Sequence, residues 1–191
     1  MSNVSTDPDA PRKIATAKEK KDVADQAFKS GDLPAALRSY HEALLYLKGI
    51  DRNTARAMGG GGPALDEAAA EKPKTEVDEM LEKIHSNMAA CHMKNGNWKR
   101  AVETANMALA INHKNSKALF RKARALGEQG YFEKAEKILE DLLKQDDSDT
   151  PAINAELARL RAKDKEREKV HNQKFRGFLN REKKLESESA A

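Results

Sequence analysis

The sequence predicts an all-α chain, with three antiparallel helix pairs stacked in a row and a long C-terminal helix closing the stack. Two observations carry this. Turn signals cut a continuous helical pattern at Ser30-Gly31-Asp32, Asn95-Gly96-Asn97 and Gln129-Gly130-Tyr131, each between two helix-length segments. Small residues also recur at a fixed interval: Gly96 and Gly130, Ala89 and Ala123, and Ala101 and Ala135 are each 34 residues apart. Gly31, Ala24 and Ala36 keep the same internal offsets but stand 65 residues ahead of the second set, so an insertion lies within or just after the first pair.

Taken in order, residues 1–11 are polar, contain two prolines and read as a disordered leader. Helices are expected over 14–30, 33–49, 77–95, 98–112, 115–129 and 131–145. Small residues at the repeating positions let neighbouring helices approach, while Phe28, Tyr40, Leu109 and Leu139 fill between them. Residues 51–76, with Gly59-Gly60-Gly61-Gly62-Pro63 and Lys72-Pro73, read as an insert or flexible linker. Thr150-Pro151 has the form of a cap followed by proline at the first helical position. The helix that follows runs through Ala155, Leu157 and Leu160 and covers the end of the last pair, as a solenoid requires. The three-pair domain thus spans 12–147, and 148–191 form the closing helix and tail. Within that tail, residues 161–184 carry ten Lys/Arg against four Asp/Glu.

Composition narrows the function classes. With 39% hydrophobic, 5% aromatic and 35% charged residues, the chain supports a modest core under long solvated helix faces. Its net charge is +4, but 35 bases interleave with 31 acids, so a nucleic-acid partner is not expected. The single cysteine, Cys91, excludes an intramolecular disulfide and lies in the apolar run MAAC, which suits a buried thiol in a reducing compartment. The start, MSNVSTDPDAPR, lacks the apolar stretch of a signal peptide, and the longest apolar run, Ala43 to Leu47, is too short for a membrane span. A cytoplasmic location is expected.

Nothing points to catalysis. No Ser/His/Asp or Cys/His pattern is present, and Gly59–Gly62 lacks the lysine and strand-to-helix context of a phosphate loop. His85 and His92 are seven residues apart, about 10 Å along a helix, too far to share a metal. No cofactor or metal is expected.

The segments FKSGDLPAALRSYHEAL, MKNGNWKRAVETANMAL and GEQGYFEKAEKILEDLL resemble the turn and second helix of tetratricopeptide repeats (TPRs). The resemblance covers residues 14–147. Three repeats, an insert after the first and a long last helix resemble the TPR portion of the large immunophilins and the tetratricopeptide repeat protein 9 family. KFRGFLNREKK near the end resembles their closing segment. The resemblance implies a superhelix whose first helices line a concave peptide-binding groove.

In TPR domains that bind the acidic C terminus of heat-shock proteins, that groove holds a carboxylate clamp. Its pattern is Lys-x3-Asn in the first repeat, Asn in the second and Lys-x3-Arg in the third. Lys21 matches the first lysine, Asn87 the second-repeat asparagine, and Lys117 with Arg121 the third-repeat pair. The resemblance implies an adaptor for the C-terminal peptide of Hsp90, or less directly of Hsp70. Lysine and arginine supply charge-assisted donors to carboxylates, and asparagine adds a donor without charge. Lys83, Lys94 and Arg124 would add positive charge near the groove. Asp25 departs from the pattern, standing where the family has asparagine. It should repel a ligand carboxylate by roughly 1–3 kcal/mol at about 5–6 Å, or pair with Lys21 and neutralise it. A scaffold whose groove takes an internal segment or a folded subunit therefore stays open as the alternative.

Overall fold

The structure is a computed structural model that describes residues 9–48, 50, 74–145 and 149–189. Among these, seven helices follow one another: α1 (Ala10–Ser30), α2 (Leu33–Leu47), α3 (Glu76–Lys94), α4 (Trp98–Ile111), α5 (Ser116–Glu128), α6 (Phe132–Leu143) and α7 (Thr150–Ser189). The pairs α1/α2, α3/α4 and α5/α6 are hairpins, and each packs on the next. The first helices, α1, α3 and α5, touch in sequence, and α7 packs on α5 and α6.

Local chemistry sets each boundary. The three turn glycines, Gly31, Gly96 and Gly130, hold φ of 86°, 68° and 87°, a left-handed conformation that a Cβ disfavours. At Gly31 the chain closes α1 with amide bonds from Gly31 to Phe28 and from Asp32 to Ala27. Asp32 then opens α2 by accepting the Ala35 amide at 3.0 Å. Asn97 and Asn115 do the same for α4 and α5 through the amides of Arg100 and Ala118.

Helix α3 begins with a reciprocal capping box between Thr75 and Asp78, at 3.1 and 3.0 Å. Residues 74–76, expected within the insert, therefore belong to the start of the second hairpin; the rest of that insert, 51–73, lies outside the described residues. At the N terminus α1 begins at Ala10, with Pro11 in its first turn, so the end of the expected leader is helical; residues 1–8 lie outside the described ones. The cap of α7 is Asp149 rather than Thr150. Its carboxylate faces the Ala152 amide at 3.4 Å and its carbonyl accepts from Ile153.

The repeating alanines are the contact points between helices: Ala24, Ala36, Ala89, Ala101, Ala123 and Ala135 are all fully buried. Larger side chains form two clusters. Tyr40, Leu47, Ile84 and Met88 fill the space between α1, α2 and α3, and Leu139, Leu142, Leu157 and Leu160 fill that between α5, α6 and α7. Each such side chain contributes about 1.5–3 kcal/mol by leaving water. Phe28 and Leu109, expected as fillers, are only partly buried.

One polar cluster and one helical face fix the packing. Buried Glu82 on α3 accepts from Asn112 at 2.7 Å and Asn115 at 2.6 Å and pairs with Lys74, which pins the α4–α5 loop onto α3. On α7, Ile153, Glu156, Leu157 and Leu160 share one helical face and are buried. Ala155, expected to help cover the last pair, lies on the other side and is exposed. Leu160 comes so close to Gly127 of α5 that a Cβ there would stand 2.2 Å from Leu160 Cδ2. From Lys165 to Phe178 every residue of α7 is exposed. No helix among the described residues is long and apolar enough to cross a membrane.

Candidate peptide-binding groove

Lys21 and Asp25 stand one turn apart on α1 and project together. Asn87 lies midway along α3, and Lys117 and Arg121 are one turn apart on α5. Hydrogen bonds join Lys21, Asp25 and Asn87 across α1 and α3, and Arg121 of α5 reaches Ser86, next to Asn87 on α3; Lys117 stands one turn before Arg121.

Asp25 is the hub of a network that links three helices. Its Oδ2 accepts from Lys21 Nζ at 2.8 Å, and its Oδ1 accepts from Asn87 Nδ2 at 3.0 Å and from the Tyr40 hydroxyl of α2. Burial alone would raise its pKa, but the bonds from Lys21, Tyr40 and Asn87 overcome that and hold it below the usual carboxylate value. Lys21 responds in the opposite sense. Burial disfavours its charge, yet Asp25, together with Asp22 at 3.4 Å, raises its pKa. Tyr40, fully buried and bonded to a carboxylate, is strongly held in its phenol form. The neighbouring Cys91 thiol is pushed up to about 11 by burial and stays protonated.

The α5 side is organised differently. Arg121 reaches back to α3, where Nη1 donates to the Ser86 carbonyl at 2.7 Å and its hydroxyl at 2.5 Å. Burial lowers its pKa, although guanidinium remains charged at any ordinary pH. Lys117, one turn away, is exposed and in no ion pair among the described residues.

The three supporting cations are each engaged. Lys83 faces Glu79 at 3.5 Å, Lys94 lies over the Phe28 ring at 4.2 Å, and Arg124 approaches Glu156 of α7 at 3.9 Å. Part of the basic run of α7 is likewise structural. Arg159 bridges Glu156 and Glu128, Lys163 pairs with Glu128, and Arg161 pairs with Glu136 and Glu140. Helices α2, α3 and α4 border an apolar hollow of about 500 Å³ that includes Leu44, Leu81, Met107 and Ile111.

Two site residues escaped sequence reasoning. Tyr40 reads as core filling, because nothing local reveals that its hydroxyl crosses the hairpin to Asp25. Ser86 is an ordinary helical serine until α5 brings Arg121 against it.

No family model matches the chain. The human zinc finger CCCH domain-containing proteins 7B and 7A are 44% and 39% identical to it over 57 residues, or 30% of this chain. That stretch spans only 6% of either protein. Solved structures match more widely. The C-terminal TPR-containing domain of a Plasmodium falciparum FK506-binding protein aligns with a TM-score of 0.62 at 22% identity, over 84% of this chain and 95% of that one. The Hsp90 co-chaperone Cns1 from Saccharomyces cerevisiae gives 0.67 at 19% identity, over 93% and 47%. Yeast Tom70 gives 0.53 at 26%, over 80% and 26%. The fold is that of a tetratricopeptide-repeat protein.

Proposed function

We propose that this tetratricopeptide-repeat chain is a non-enzymatic, co-chaperone-like adaptor in the cytoplasm. Its α1/α3/α5 groove would take the acidic C-terminal segment of a heat-shock protein, Hsp90 before Hsp70. The observation that carries this reading is the Lys117/Arg121 pair, one turn apart on α5, the third of the consecutive first helices. Among the described residues Lys117 is in no ion pair and Arg121 engages one guanidinium nitrogen, with Ser86, which supports a carboxylate-binding role for the α5 end.

Isothermal calorimetry with a synthetic acidic C-terminal peptide tests it. Binding should be lost or strongly reduced in the Lys117→Ala/Arg121→Ala double variant. Equal affinity in the two proteins, with unchanged circular dichroism, would remove the groove from the reading. A second reading, a scaffold whose groove takes an internal segment of a non-chaperone partner, is favoured by one observation: Asp25 already accepts from Lys21 and Asn87.

A further inference from the structure

We infer that Asp25 is a built-in carboxylate that closes the α1 end of the groove to anions, so the groove reads a ligand's acidic side chains at its α5 end and not a free chain terminus. The inference rests on the proposed reading of the groove and narrows the class of peptide it takes. An arriving carboxylate at the α1 end needs donors, and the two that the groove offers there are Lys21 Nζ and Asn87 Nδ2. Both already donate to Asp25, at 2.8 and 3.0 Å. The Tyr40 hydroxyl, a third donor, is turned onto the same carboxylate. Asp22, 3.4 Å from Lys21, places a second acid on the same ammonium.

One cation between two carboxylates leaves that trio with a net negative charge, whereas Lys117 and Arg121 at the α5 end have no acid on either among the described residues. A ligand carboxylate at the α1 end would therefore have to displace a bonded carboxylate and then sit beside it. That is unfavourable on both counts. The α1 end is suited instead to a neutral amide, a backbone N–H or a cationic side chain, each of which Asp25 can accept from. The groove thus has a direction, with an acidic ligand group at α5 and a neutral or basic one at α1. A segment within a chain satisfies this as well as a chain end does.

The test uses the full chain and two synthetic acidic peptides of one sequence, one with a free C-terminal carboxylate and one amidated. The unaltered chain should bind the two within about twofold of each other, because a terminal charge that must share its donors with Asp25 adds little. Asp25→Asn should strengthen the free-acid peptide by about 3- to 30-fold at low salt, with the gain shrinking as salt is added. The amidated peptide should change by less than about twofold in that variant. A free-acid peptide that binds only to Asp25→Asn also supports the inference, while it removes the chaperone-adaptor reading of the unaltered chain.

A tenfold or greater preference of the unaltered chain for the free acid would overturn the inference and leave the adaptor reading standing. Failure of both peptides on both proteins would overturn the two together. If Asp25→Asn lost its helical circular-dichroism signal, the peptide pair on the unaltered chain would still decide.

Discussion

The side-chain amide of Asn87 on α3 donates to the carboxylate of Asp25 on α1 at 3.0 Å, across 62 residues of chain. This bond joins the first two hairpins on the groove side and is continued through Asp25 to Lys21 and to Tyr40 of α2. The same carboxylate that sets the charge of the groove therefore also ties its wall together, and the two roles can be separated by experiment.

Tyr40→Phe isolates the structural role. The ring stays buried and the groove charges stay in place, while Asp25 loses one of its donors. A hydrogen bond from a buried hydroxyl to a carboxylate is worth about 1.5–3 kcal/mol, so urea denaturation should show a loss of that size with an unchanged slope. Lys21 and Asn87 keep their bonds, so peptide affinity should move little. A large fall in affinity at normal stability would mean that the hydroxyl itself meets the ligand.

Acid titration of stability reports on Asp25 as well. Its folded-state pKa lies below the usual aspartate value, so the folded state favours its ionised form. The stabilisation is complete above the unfolded value and is lost as pH falls below about 4 towards the folded pKa. Lys21, Tyr40, Asn87 and Cys91 lie nearest to it, and the lysine, tyrosine and cysteine all titrate far above that range. Thermal melts of the unaltered chain and Asp25→Asn should differ above pH 5 and converge towards pH 2. A gap that did not change with pH would assign the effect to packing.

How much could be read beforehand follows from which signals are local. The hairpins were legible because the glycines at 31, 96 and 130 and the alanines around them repeat, and a repeat is visible in one dimension. Helix ends moved by one or two residues where capping decided, as with the Thr75–Asp78 box, whose reciprocal bonds start α3 inside the expected insert. The groove positions were visible through spacing, since Lys21 with Asp25 and Lys117 with Arg121 are one helical turn apart. What the chain hid was the pairing. That Asp25 holds Lys21, Tyr40 and Asn87 together, and that Arg121 rests on Ser86, depends on contacts between separate helices. Ala155 falls on the exposed side because the buried face of α7 is the one that Ile153, Glu156, Leu157 and Leu160 define.

On the α5 side, Lys117→Ala should weaken an acidic peptide by about 1–3 kcal/mol without altering stability, since Lys117 is exposed and in no ion pair among the described residues. Arg121→Ala should weaken binding by a similar amount but also destabilise the fold, because it leaves the Ser86 carbonyl and hydroxyl without their guanidinium donor. Calorimetry beside circular-dichroism melts separates the two. Equal melting temperatures for both variants would show that the Arg121–Ser86 contact adds nothing to stability.

The seat of α7 offers a test that does not depend on any ligand. Leu160→Ala removes a buried side chain packed between α5, α6 and α7, and should cost about 2–5 kcal/mol. Gly127→Ala would ordinarily stabilise a helix by about 1 kcal/mol. Here the new methyl would stand 2.2 Å from Leu160 Cδ2, so Leu160 must turn away inside a filled cluster and the variant should lose stability instead. The two effects share one cause, which makes them non-additive. With Ala at 160 the obstructing methyl is gone and the methyl at 127 enters the vacated space. Gly127→Ala should then be neutral or stabilising in the Leu160→Ala background, a coupling of the size seen for touching residues. If Gly127→Ala costs the same in both backgrounds, its penalty arises elsewhere on α5, and the close approach of α5 to α7 does not depend on Leu160.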